Sequence, residues 1–154
     1  MNYMDLASLS EWAGVTAAIA TTISIPVAAF ALLQSRRQAQ TDFEDNLNAQ
    51  YRATIREIPI DAHLGKPLNE DCLKKNMLDF YHYIDLTNEQ VFLRMEGRVS
   101  TKTWRNWCDG ISNNLAKPGF AEAWKVIKVC SENSFNELRR LESDGYKSDP
   151  KRWT

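Results

Sequence analysis

Four cations, Arg94, Arg98, Lys102 and Arg105, fall within a dozen residues with only Glu96 against them. Ser100 and Thr101 stand among them, and side chains of this type cap helices, whose first N–H groups are free to point at a ligand. Guanidinium groups beside a helix N-terminus bind phosphate. Trp104 and Trp107 follow directly, and aromatics next to basic residues stack bases. Arg94, Arg98, Ser100, Thr101, Lys102, Trp104 and Arg105 are therefore the candidate ligand-binding residues for a nucleotide or phosphate, with Asn113 and Asn114 as further polar contacts. The competing account is that the two tryptophans pack a core while the cations face water.

Catalytic chemistry has less to draw on. The chain has two histidines. His63 follows Arg56 after six intervening residues, a spacing that resembles the Arg-x4-6-His motif of the HEPN ribonucleases, all-α domains that pair two such motifs across a dimer. Pro59 interrupts this segment. His82 sits between Tyr81 and Tyr83 in an apolar helical pattern and reads as a partly buried, satisfied side chain. No histidine has a second ligand at metal spacing, so no metal site and no cofactor are expected. There is no GxSxG elbow, no glycine-rich phosphate loop, and no base coupled in sequence to Cys72, Cys108 or Cys130. Three scattered cysteines read as reduced thiols.

The elements that would position these residues begin with an uncharged run. No ionisable side chain stands between Glu11 and Arg36. Residues 13–33 make about 30 Å of helix, enough to cross a hydrocarbon core once. Arg36 and Arg37 follow the run while Asp5 and Glu11 precede it, so the positive-inside rule places the N-terminus outside and the remainder in the cytoplasm. The expectation is a bacterial inner-membrane protein with a short extracytoplasmic N-terminus, 1–12. Gly14, Ala17, Thr21, Ser24, Ala28 and Ala31 recur at three and four residues as a seam of small side chains. In lipid such a seam lets helices approach closely, so a homo-oligomer is expected. Pro26 should loosen the helix on the opposite face.

The remainder carries 18 acidic residues once Asp5 and Glu11 are removed, against 19 basic ones. So even a balance does not suit non-specific polyanion binding, and no DNA binding is expected. A first helix is predicted from 35 to 58, continuous with the span and ended by Pro59, followed by a loop to Pro67. The longest apolar stripe, 70–95, predicts one helix closed by Gly97. Further helices are predicted after Ser100 or Thr101, after the break at Pro118 and Gly119, and after Ser134, whose spacing to Glu137 is that of a capping box. Residues 146–154 read as a tail. The fold class is thus all-α: one N-terminal transmembrane helix, then a cytoplasmic helical domain, 34–145, of about four or five helices. On the long helix, Asp85, Asn88 and Glu89 need polar partners.

As a layout, "TAAIATTISIPVAAFALLQSRR" followed by helices resembles the small CRISPR-associated membrane effectors. Some of these respond to a cyclic oligoadenylate, and others form a pore with a HEPN-like domain. The resemblance implies an oligomeric membrane effector that senses a cyclic oligonucleotide and permeabilises the membrane in antiviral defence. Two alternatives stand beside it: a passive anchor or adaptor for a cytosolic protein, and a membrane-tethered ribonuclease dependent on His63.

Overall fold

The computed structural model describes the backbone of residues 3–153 and the side chains of residues 27–153. Seven α-helices and a short 3₁₀ turn account for the regular structure, with no strand among the described residues. The expected all-α class holds. The chain divides into two compact units, 1–41 and 42–154.

Helix α1, Tyr3–Glu57, begins in the first unit. Its described side chains there include Val27, Phe30, Leu32 and Leu33, exposed by 61, 69, 56 and 57%. Ala28 and Ala31 are exposed as well. The side chains of Gly14, Ala17, Thr21, Ser24 and Pro26, and most of the expected span, lie outside the described residues. Among the described residues no helix is long and apolar enough to cross a membrane.

The second unit takes the end of α1 and then α2 (Ile60–His63), α3 (Glu70–Lys75), α4 (Met77–Met95), α5 (Thr101–Leu115), α6 (Pro118–Cys130) and α7 (Asn136–Ser143). The 3₁₀ turn is Pro150–Arg152. Helix α4 is the hub, touching α3, α5, α6, α7 and the 3₁₀ turn. Its Phe80, Tyr83, Ile84 and Val91 are at most 1% exposed. Phe120 of α6 meets Phe80 and Tyr83 edge-on, at centroid distances of 5.3 and 5.1 Å. Such pairs add about 1 kcal/mol each beyond the area they bury.

Breaks in the sequence pattern fall where local chemistry makes them. Pro59 ends α1 as predicted, but the loop after it holds the short α2. The single helix predicted over 70–95 is two, because Asn76 turns its amide onto the Cys72 carbonyl at 2.7 Å and leaves helical geometry. Gly97, at φ +69, closes α4 with Arg98 N–H donating to Leu93 O and Gly97 N–H to Arg94 O, both at 3.0 Å. Pro118 and Gly119 start α6. A Cβ on Gly119 would lie 3.1 Å from that of Ala62, so glycine there lets α2 approach α6.

The capping box at Ser134 does not form. Helix α7 starts one residue later, after Phe135, whose φ is +60. Burial explains this: Phe135 is 6% exposed and packs edge-on against Tyr81 and Trp124. The cap comes from another helix instead. Asn88 Oδ1 of α4 accepts from Leu138 N–H at 3.0 Å, and its amide donates to Glu137 Oε2 at 3.0 Å. Asn88 thus has the polar partners its position demanded, while Asp85 and Glu89 are exposed.

Residues 146–153, read from sequence as a tail, are packed. Pro150 is buried and Trp153 lies against the core, its Nε1–H donating to Ser148 Oγ at 2.7 Å.

Candidate functional site

The α4–α5 turn is where sequence reasoning put an anion, and the structure puts one there: the carboxylate of Glu44. Ser100 caps α5 as predicted, its hydroxyl accepting from Thr103 N–H at 3.2 Å. Ser100 N–H donates to Glu44 Oε1 at 2.6 Å, and Thr103 Oγ1–H donates to Glu44 Oε2 at 2.5 Å. Glu44 is only 9% exposed. The positive end of α5 is therefore already matched by the protein's own negative charge.

Arg94 is likewise engaged. Only 2% exposed, it forms a two-pronged ion pair with Asp149, Nε to Oδ1 at 2.7 Å and Nη2 to Oδ2 at 2.5 Å. Its Nη1 donates to Val99 O at 2.7 Å and its Nη2 to Thr101 Oγ1 at 3.1 Å. One guanidinium thus ties α4, the start of α5 and the C-terminal segment together. Hydrogen bonding to Arg94 holds the Asp149 carboxyl below its ordinary value, against the opposing effect of its partial burial.

The other expected ligands separate. Arg98 lies over the Phe43 ring at 4.5 Å, and Lys102 is exposed to solvent. Asn114 is buried and donates to the hydroxyls of Tyr51 and Tyr83, both at 3.2 Å, so it belongs to a core network. Thr101, Trp104 and Arg105 come together, joined by residues of the C-terminal segment 146–153.

These three line an open cleft of about 510 Å³ with Cys108, Asp109, Tyr146, Lys147, Ser148, Asp149, Arg152 and Trp153. The size falls within the roughly 300–1,000 Å³ range of small-molecule sites. With Asp149 neutralised by Arg94, the charges left are Arg105, Lys147 and Arg152 against Asp109. Arg140 lies over the Trp153 ring at 4.6 Å. The thiol of Cys108 donates to Tyr146 O at 3.5 Å, and burial, with nearby carboxylates, pushes it up to about 11. Burial pushes the Tyr146 phenol up to about 12. Both stay protonated at neutral pH. A cationic, aromatic-lined cleft with protonated weak acids in its wall is suited to holding an aromatic anion.

Arg56 and His63, despite Pro59 between them, line one shallow hollow with Tyr51, Ile55, Ile58 and Ile60. His63 Nε2–H donates to Ile55 O at 2.9 Å. Among the described residues no cluster of ligating side chains could hold a metal ion.

Sequence reasoning missed Glu44, Tyr146, Lys147, Asp149, Arg152 and Trp153. The one available signal was composition, since "YKSDPKRWT" carries two aromatics and three cations in nine residues. Comparison of the chain with protein-family models, with curated proteins and with solved structures finds no match in any of the three, so the functional reading rests on the residues themselves.

Proposed function

We propose that this protein is a membrane-anchored sensor, assembled as a homo-oligomer through its N-terminal helix, whose helical domain takes an aromatic anion of the nucleotide class in the Arg105–Arg152 cleft. The cleft is the observation that carries the reading, because it adds Lys147, Arg152 and Trp153 to three of the residues expected to bind. The uncharged run between Glu11 and Arg36 supports the anchor, as do the exposed Val27, Phe30, Leu32 and Leu33. Large apolar side chains clustered on one stretch of surface favour lipid or a partner over water. The resemblance in layout to CRISPR-associated effectors makes a cyclic oligoadenylate the first ligand to try and membrane permeabilisation the first output.

The test uses dye-loaded liposomes carrying the full-length protein. Ligand-dependent release is expected, lost in Arg105→Glu with Arg152→Glu through the sensing half and in Thr21→Leu with Ala28→Leu through the membrane seam. Correct insertion with neither binding nor release would leave a passive anchor for a cytosolic protein.

A second reading, a tethered ribonuclease, is favoured by the shared hollow of Arg56 and His63. It requires RNA cleavage by the purified protein that disappears in His63→Ala.

A further inference from the structure

Helix α5 also borders a second, uncharged hollow. Asn48, Tyr51, Gln90, Trp107 and Gly110 surround about 140 Å³, with the exposed Asn106 at its rim. None of the lining residues is Asp, Glu, Lys or Arg. Two features of this wall, at Gln90 and Gly110, are not called for by the fold.

Gln90 is 2% exposed, and its side-chain amide has no hydrogen-bond partner among the described residues. Buried amides are almost always paired, because leaving one unpaired forfeits its hydration with nothing in return. Its polar atoms are not sealed in as Trp124 Nε1 is, and Gln90 is one of the residues that line the hollow.

Gly110 stands inside α5, where glycine weakens a helix relative to alanine. A Cβ added there would meet nothing within 4 Å, and its backbone does not require a positive φ. Neither packing nor conformation calls for glycine, yet its bare backbone forms part of the wall.

The remaining polar groups are held ready. Trp107 Nε1–H donates to Asn48 Oδ1 at 2.8 Å, which fixes the indole and leaves the Asn48 amide protons as donors. The Tyr51 hydroxyl accepts from Asn114 at 3.2 Å and keeps its own proton to donate.

A cavity of roughly 150 Å³ takes one benzene-sized ring. A primary amide such as Gln90 offers a donor and an acceptor side by side, matching an edge that carries both. We propose that this hollow binds a neutral single-ring molecule with an amide or lactam edge, of the pyrimidine-base or nicotinamide type. The ring pairs with Gln90, lies beside Trp107 and occupies the space that Gly110 leaves open. Neither the membrane anchor nor the anion cleft enters into this assignment.

The test titrates full-length protein in detergent with uracil, cytosine, nicotinamide and uridine, reading the melting temperature and the indole N–H resonance of Trp107. At least one ring is expected to bind saturably at millimolar concentration and raise the Tm. Gln90→Met and Gly110→Leu should weaken that binding by about tenfold or more, while the unliganded variants melt no lower than wild type. Gly110→Ala serves the same purpose if leucine prevents folding. Uridine binding as well as uracil means that the ring enters attached to a larger molecule; uracil alone means a free base. If none of the four binds, or if Gln90→Met binds as tightly as wild type, the hollow merely holds water and the proposal is wrong.

Discussion

Helix α5 borders two concavities of opposite character. One side, through Thr101, Trp104, Arg105 and Cys108, lines the charged cleft; the other, through Trp107 and Gly110, lines the neutral hollow. Next to the cleft, most polar groups are already satisfied. Arg94 holds Asp149, and the helix N-terminus holds Glu44. Beside the hollow Trp107 and Tyr51 are paired too, but Gln90 is buried with no hydrogen-bond partner for its amide among the described residues. The contrast teaches that charge density in a sequence does not measure binding capacity. A charge counts only after the partners that folding brings to it have been subtracted.

Breaking the satisfied groups should have the largest effects. Arg94→Met removes the ion pair and leaves the half-buried Asp149 and the Val99 carbonyl without their partner, a loss of about 3 kcal/mol, the upper scale of hydrogen bonds to charged groups. Its urea midpoint should fall accordingly. Glu44→Ala frees Ser100 N–H and Thr103 Oγ1 and should cost about 2 kcal/mol, the range of charge-assisted hydrogen bonds.

Acid sharpens the same comparison. The Asp149 carboxyl is depressed in the folded state, chiefly by its hydrogen bond to Arg94. Its contribution is therefore complete above the unfolded carboxylate value and is lost as pH falls through the folded one. Asp149→Asn should lower stability at neutral pH and flatten the acid limb of the stability curve. A limb of unchanged slope would deny the pair that role.

Changes at α5 positions that face the two concavities should be favourable or small. Gly110→Ala should stabilise the unliganded protein by about 1 kcal/mol, the helix-propensity difference, because the added methyl meets nothing within 4 Å. Arg105→Glu, on an exposed position, should change stability least, within about 0.5 kcal/mol. Its effect is expected on anion binding.

Much of the fold was legible because it follows from local rules. Pro59 stopped α1, Gly97 closed α4 in a left-handed turn and Ser100 capped α5, each by chemistry that acts within a few residues. What the sequence hid was long-range substitution for those rules. Asn88 caps α7 from fifty residues away, so the local Ser134 signal misled. Of the candidate site, Thr101, Trp104 and Arg105 were found, because cations and aromatics cluster visibly. The partners that consume Arg94 and the α5 N-terminus, Asp149 and Glu44, lie 55 and 56 residues away from the groups they bind. The neutral hollow gave no sequence signal, since a buried glutamine and an exposed one differ only in three dimensions.

The most direct measurement is a binding titration of full-length wild type, Glu44→Gln and Arg105→Glu with a cyclic oligoadenylate under identical ionic strength. If the cleft is the sensing site, Arg105→Glu loses affinity while Glu44→Gln retains it, because the capped helix end takes no part. Equal binding by Arg105→Glu and wild type, or no binding by wild type, would contradict the cleft as a nucleotide sensor.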